Sequence, residues 1–391
     1  GLKEAARIHA EMDAVKENVG FTGDRPAFFE FMRADKQFYL PNTDEGRQKY
    51  LATAQGYLDV MYERLPEYFG RLPKAPLVVK RVEAFREQPG GAAHYYGPTP
   101  DGKQPGIFYA HLVDMSAVSL WALESLAYHE GVPGHHMQIS IQQELEAETG
   151  PNKLPKFRTQ YGYTAYSEGW GLYSERLGIE MGLYDTPAKD MGRLSYEMWR
   201  ACRLVVDTGI HSKRWTRQQA IDYLRGVTGD APGMIVTEVD RYIAWPGQAC
   251  SYEIGRREIM SLREEARSTL GPDFDLKGFH DTVLLHGEVP LSVLDQLVRA
   301  WIADNYTDDL KKRMELTKNG SLDEKHQKAW LKKLAEKGWL VTNWPTEHGG
   351  PGWNQTQKYI YEMEMALAGA PEVGTLQQGF DAGGHVRDSC G

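Results

Sequence analysis

The sequence predicts a mainly helical protein with a small β-hairpin or sheet beside a histidine-bearing helix and a short helical C-terminal appendage. Three observations carry that expectation. Apolar residues recur at three-and-four spacing in stretch after stretch, the period of a helix with one buried face. Strand-like runs are confined to two neighbouring segments. Near residue 306 the chain turns polar and charged before a last helical pair.

Taken in order, "NTDEGRQKYLATAQGYLDVMYERLPEYF" opens on an Asn-Thr-Asp start signal and is stopped by Gly70 and Pro73. "AAHYYG" and "GIFYAHLV" are aromatic and β-branched, and a turn containing Pro-Asp-Gly joins them, so a hairpin is expected there. Its second strand offers an edge on which an extended peptide could lie. "SLWALESLAYHE", "TAYSEGWGLYSERLGIEMG", "MGRLSYEMWRACRLVVDTGIHS", "TRQQAIDYLRGVTG" and "PLSVLDQLVRAWIADNY" read as helices. Residues 1–305 form the expected main domain and 306–321 a linker. Residues 322–373 form two amphipathic helices around a Gly/Pro/Trp-rich turn, and 374–391 a disordered tail.

With 41% hydrophobic and 25% charged residues the chain can bury a sizeable core. A net charge of -9 without any Lys/Arg block argues against nucleic acid or an anionic membrane as partner. No stretch reaches the roughly 20 apolar residues that span a bilayer. There is no signal peptide, but "GLKEAARIHAEMD" reads as mid-domain sequence, so an upstream segment that carried one is an expected loss. Cys202, Cys250 and Cys390 are too few and too scattered for a disulfide framework or a cysteine zinc site. Compartment and oligomeric state carry no signal.

The chemistry concentrates in "LAYHEGVPGHHMQIS", residues 126–140. Two imidazoles share one ion comfortably at i,i+4, about 6 Å apart along a helix. From His129, His135 is i+6 and His136 is i+7, about 10.5 Å along the axis, so a regular helix cannot build the site. Pro133 lacks an N–H and collides with the carbonyl of His129, while Gly131 and Gly134 permit unusual backbone. Looping out two residues makes His135 an effective i+4 partner, and looping out three selects His136. Glu130 follows His129, where zinc peptidases keep the base that activates water. Glu168 in "YSEGWGLYSERLG" supplies an acidic ligand from a second helix, and Glu175, at i+7 on the same face, is a salt-bridging group or a partner behind a ligand.

"HEGVPGHHMQ", "TAYSEGWGLYSE", "RACRLVVDTGIHSKRWTRQQA", "RYIAWPGQACSYEIGRREI" and "FHDTVLLHGEVPLSVLDQLV" together resemble the bacterial domain-of-unknown-function family 885 over about residues 1–305. That family is regarded as zinc-metallopeptidase-like, within the gluzincin class. The resemblance implies a large helical zinc-metallopeptidase-like domain, with zinc held by His129, His135 and Glu168 and with Glu130 as base. His135 is favoured because Gly-His then mirrors related helical peptidases with two residues inserted; His136 is the alternate. Members are usually longer at the N-terminus. Residues 322–373 resemble the start of the acyl-CoA dehydrogenase N-terminal domain without the flavin-binding and catalytic parts, as if two unrelated reading frames had been joined.

His211 and Tyr252 are candidate donors to the oxyanion of a tetrahedral intermediate, and Arg241 a candidate for gripping a substrate carboxylate. His286 and Glu288 read as a helix end. The expected function is a zinc-dependent hydrolase of peptides. The alternatives are a zinc hydrolase of an ester, non-peptide amide or glycoside, a non-catalytic helical binding module, and a flavoprotein fragment. The expected partner is a peptide or small-molecule substrate.

Overall fold

The computed structural model describes residues 1–87, 93–99, 103–148, 154–155, 158 and 161–305, with isolated positions 332, 346, 351–353 and 358 beyond them. The chain divides into two units, 1–268 with 273–301, and 269–272 with 302–391. The account below concerns the first. The expected linker, helical pair and disordered tail lie outside the described residues, apart from those isolated positions, as does the hairpin turn at 100–102.

Helix α1 (Leu2–Asn18) and α2 (Arg25–Ala34) precede α3 (Asp44–Tyr68). The α2 start is fixed by Asp24, whose side chain accepts from the Ala27 amide, and the α3 start by Thr43, which accepts from Gly46. After the sheet come α4 (Leu123–Glu130), α5 (His135–Ala147), α6 (Thr164–Glu180) and α7 (Pro187–His211). Helix α7 starts four residues ahead of the apolar run that predicts it, because Thr186 caps it and Pro187 suits the first turn. Helices α8 (Arg217–Val227, opened by a Thr216/Gln219 capping box), α9 (Pro232–Ala244), α10 (Ser251–Leu270), α11 (Leu276–Leu284) and α12 (Leu291–Asn305) complete the order.

One core joins α1, α2, α7, α8 and α9 through Ile8, Met12, Phe28, Met198, Val206, Leu224 and Val239. All seven are fully or almost fully enclosed, each adding about 1.5–3 kcal/mol of burial. Cys202 belongs to it; Cys202 and Cys250 are both buried free thiols, and Cys390 is outside the described residues.

Among the described residues the small sheet has three strands, the expected hairpin and one more. Strands β1 (Leu77–Arg81), β2 (His94–Tyr96) and β3 (Gly106–Ala110) lie in the order β1-β3-β2. The expected hairpin is there as the antiparallel pair His94↔Tyr109 to Tyr96↔Ile107. Strand β1 pairs parallel to the other side of β3, Leu77 opposite Gly106. Strand β3 is therefore central, which corrects the expectation that it offers an edge to a peptide: both its sides are already hydrogen-bonded.

Two buried histidines act as struts. His280 Nδ1 donates to the Tyr68 carbonyl (2.8 Å), its Nε2 accepts from the Tyr173 hydroxyl (2.7 Å), and its ring stacks on Phe69. His136 is held between the Ala75 carbonyl (3.0 Å) and the Tyr95 hydroxyl (2.9 Å). Burial pushes them down to about 3 and about 4 respectively. Both are neutral in the folded state and titrate near 6.5 when unfolded, so the unfolded chain binds more protons on the acid side. Stability is fully present above pH 6.5 and is lost as pH falls toward 4 and then 3, at about 1.4 kcal/mol per pH unit for each histidine. Urea titrations between pH 7 and 4 should show this slope, reduced by one histidine's share in His280→Gln. An unchanged slope in that variant would contradict the assignment.

Candidate metal centre

Helix α4 ends at Glu130 and α5 begins at His135, with Gly131–Gly134 looping between them. The loop is tied back by Gly134 N–H to the Tyr128 carbonyl (3.0 Å) and His136 N–H to the Gly131 carbonyl (3.0 Å). Trp170 of α6 donates to the Pro133 carbonyl (2.8 Å). A Cβ at Gly134 would stand 2.0 Å from the His129 carbonyl oxygen, so the chain can double back there only with glycine. At Gly171 a Cβ would come within 2.7 Å of the His129 ring, and the bare α-carbon lets α6 lie flat against it.

This path brings His129, His135 and Glu168 together, with one ligand atom from each within 4.8 Å of the others. His129 Nε2 and His135 Nε2 each lie 3.4 Å from Glu168 Oε2, and the two rings meet edge to face at 4.7 Å. Ligand atoms about 2.0–2.1 Å from a tetrahedral ion stand about 3.3 Å apart. The Glu168 Oε2 atom is buried and has no hydrogen-bond partner, an arrangement costly in itself and relieved by a cation between the three groups. The donor set, two imidazoles and a carboxylate, fits zinc or a similar divalent ion.

His136 points the other way. With α5 starting at His135, consecutive side chains diverge by about 100°, and both of its nitrogens are committed to Ala75 and Tyr95. His135 is the one that faces Glu168.

Behind the three, His129 Nδ1 donates to Glu175 (2.8 Å), whose other oxygen accepts from Ser125 (2.9 Å), with Arg200 at 3.6 Å. This orients the ring and turns Nε2 toward Glu168, the nitrogen that an ion would take in place of its proton. Burial works against charging His129, but Glu168 and Glu175 overcome it and hold the imidazole up at about 10. Burial likewise opposes the charge on Glu168, yet the two histidines hold its carboxyl well below the usual range. Glu130 is buried, and burial pushes its carboxyl up against the opposing pull of His129 and His135.

Tyr252, on α10, stacks over His129 with ring centres 6.2 Å apart. Its hydroxyl oxygen accepts from Arg241 Nη2 (3.1 Å) and Gln248 Nε2 (3.4 Å). Arg241 also donates to Gln248 Oε1 (2.9 Å) and lies 3.5 Å from Glu238. His211 is not brought to this group: it is exposed at the end of α7, with Nε2 donating to the Tyr242 carbonyl (2.9 Å).

Glu288 carries more than a helix end. It accepts from Gln138 of α5 (3.3 Å) and from the Tyr163 amide that opens α6 (2.7 Å), while its own amide donates to Gln142 (3.1 Å). It clamps the first turns of the two helices that carry His135 and Glu168. The signal for it in the sequence is the Gly-Glu-Val-Pro turn, which says where a helix stops and nothing about what the carboxylate reaches. Arg200 and Ser125 were equally invisible.

Residues 1–298 match the family described as "Bacterial protein of unknown function (DUF885)", and residues 293–382 match "Acyl-CoA dehydrogenase, N-terminal domain". The chain is similar to a solved structure from Colwellia psychrerythraea titled a "putative lipoprotein", at 40% identity and TM-score 0.74, covering 78% of this chain and 51% of that one. A second solved structure, a "putative lipoprotein of unknown function" from Shewanella oneidensis, is 24% identical with TM-score 0.62 over 76% of this chain and 55% of that one, and it shares the fold. The chain spans about half the length of these structures. No curated protein matches it. No helix among the described residues is long and apolar enough to cross a membrane.

Proposed function

The chain belongs to the bacterial protein family of unknown function DUF885, and from that premise and the centre's geometry we propose a zinc-dependent hydrolase, with peptides as the favoured substrate class. The observation that carries this reading is the convergence of His129 Nε2 and His135 Nε2, each at 3.4 Å, on one buried Glu168 oxygen that has no hydrogen-bond partner. His129, His135 and Glu168 would hold the ion. Zinc bound by three protein ligands supplies Lewis acidity and lowers the pKa of water at the open position to about 7.

The chain's own groups do the rest. Glu130 adjoins His129 and accepts a proton from the attacking water at a carboxylate oxygen, then hands it to the departing amine nitrogen. Glu175 orients His129 and favours Nε2 as the ligating atom. Because Arg241 and Gln248 both donate to the Tyr252 oxygen, its own O–H is left to donate to the oxygen on which charge develops.

The first test is metal content per chain. We expect about one zinc in the wild type, lost in His129→Ala and Glu168→Ala and kept in His136→Asn. A folded wild type that takes up no supplied zinc would remove the reading. Zinc bound without chelator-sensitive turnover of any peptide, ester or amide would leave a non-catalytic metal-binding module. Glu288→Ala should weaken zinc about 10–100-fold by releasing α5 from α6, measured by chelator competition. An affinity equal to wild type would show that the clamp does not set the ligand spacing.

A further inference from the structure

A pocket of about 110 Å³ lies where α1, α2 and the last turn of α8 meet, and none of these helices carries a residue of the metal centre. His9, Arg25, Phe29, Arg33 and Arg225 line it, and no acidic side chain does. His9 Nε2 donates to the Val227 carbonyl (2.8 Å) and so ties α1 to α8. Two carboxylates outside the lining hold two of the three guanidinium groups. Asp13 accepts from Arg25 Nε (3.0 Å) and Nη2, which leaves Nη1 without a partner. Arg33 donates from Nη2 to Glu30 and from Nη1 to the Gly229 carbonyl (2.7 Å), which leaves Nε. Both side chains are partly exposed, and their unused N–H groups are not sealed from solvent. Arg225 is exposed and makes no hydrogen bond or ion pair among the described residues.

Arg225 by itself suits the carboxyl end of α8, where the helix dipole favours a cation. The dipole does not account for two more guanidinium groups that line the same hollow from α2. They crowd together on a chain whose net charge is -9, and a bound anion relieves their mutual repulsion. We propose that the pocket binds a phosphate group through Arg225, Arg25 and Arg33. Asp13 and Glu30 hold two of the three donors in place beforehand, so little side-chain freedom is lost on binding. Arg25 and Arg33 come from opposite ends of α2 and Arg225 from α8, so the donors arrive from different directions. A tetrahedral oxyanion has oxygens to meet all of them, whereas a planar carboxylate accepts best in one plane. A water needs about 10–15 Å³ of such a cavity, so there is room for a phosphate group. Pro26 and Phe29 in the wall offer apolar surface to the body of a phosphate ester.

The test is calorimetric titration of the metal-free full chain, at low ionic strength, with inorganic phosphate and with phenyl phosphate. One saturable site is expected. Arg225→Ala should weaken it about 10–100-fold, the loss of one charge-assisted pair, and Arg225→Lys should recover part of that. Arg225 has no partner to abandon, so the variant keeps the fold. Arg257→Ala, which removes another exposed and unpaired guanidinium on α10, should bind phosphate as the wild type does. Tighter binding of phenyl phosphate assigns the pocket to an ester, and tighter binding of inorganic phosphate to the free ion; either result supports the site. No saturable binding of either probe, or Arg225→Ala binding no more weakly than Arg257→Ala, overturns it. With no metal present the ion cannot be captured by zinc, so the result is independent of the hydrolase reading.

Discussion

Glu130→Gln lowers hydrolytic turnover by about 10²–10⁴-fold and leaves zinc stoichiometry at the wild-type value. Gln has the shape of Glu but cannot take a proton from water, so the substitution isolates proton transfer from packing. Glu130 is buried and makes no hydrogen bond or ion pair among the described residues, so no neighbour loses a partner when the charge goes. The amide is also the easier group to bury, and the fold should be as stable as the wild type or slightly more so. The measurement is kcat on a chromogenic peptide alongside zinc per chain. Turnover within a few-fold of wild type would take the base role away from Glu130, while loss of zinc would mean that it supports the ion instead.

Gly255→Ala should be the most destabilising single-methyl change tested. A Cβ there would stand 1.7 Å from the Ala165 carbonyl oxygen and 2.7 Å from the Gly169 α-carbon. The reverse holds at Gly169, where a Cβ would be 2.5 Å from the Gly255 α-carbon. Helices α6 and α10 thus touch backbone to backbone, and no side chain can swing away to make room. Overpacking costs about 1–3 kcal/mol where neighbours can adjust, so we expect roughly 3 kcal/mol or more here. Tyr252 sits one turn before Gly255 and Glu168 beside Gly169, so prying the helices apart also moves the stacked tyrosine from the ligands. Thermal unfolding reads the first effect and zinc affinity the second. Gly226→Ala on α8, where a Cβ meets nothing within 4 Å, is the control and should stabilise by about 0.5–1 kcal/mol. Equal melting of the two variants would rule out the close crossing.

What the sequence reveals of this protein follows from how local each determinant is. The start of α3 is legible because Thr43 caps it from three residues away. Strand β1 is not, because Leu77–Arg81 owes its strand state to β3, a partner beyond the intervening loop and hairpin strand. At the site, His129 and Glu168 stand out by residue type and neighbourhood. Spacing leaves His135 and His136 both open, since the choice depends on where α5 begins and hence on the backbone of Gly131–Gly134. His211 has the right chemistry but lies at an exposed helix end, and Glu288 has an unremarkable context but a central place. Arg241 is readable only as a candidate by its residue type, whereas its bond to Tyr252 is a fact of the packing of α9 and α10.

The segment between Glu130 and His135 also works as a ruler. Its four residues set the phase at which α5 starts, and neighbouring positions on that helix have opposite duties: His135 turns to Glu168, His136 to the sheet. Deleting or adding one residue would rotate every later side chain of α5 by about 100°, exchanging an inward-looking group for a strut in a single step. Lineages carrying this fold can therefore vary the loop's residues within steric limits far more readily than its length.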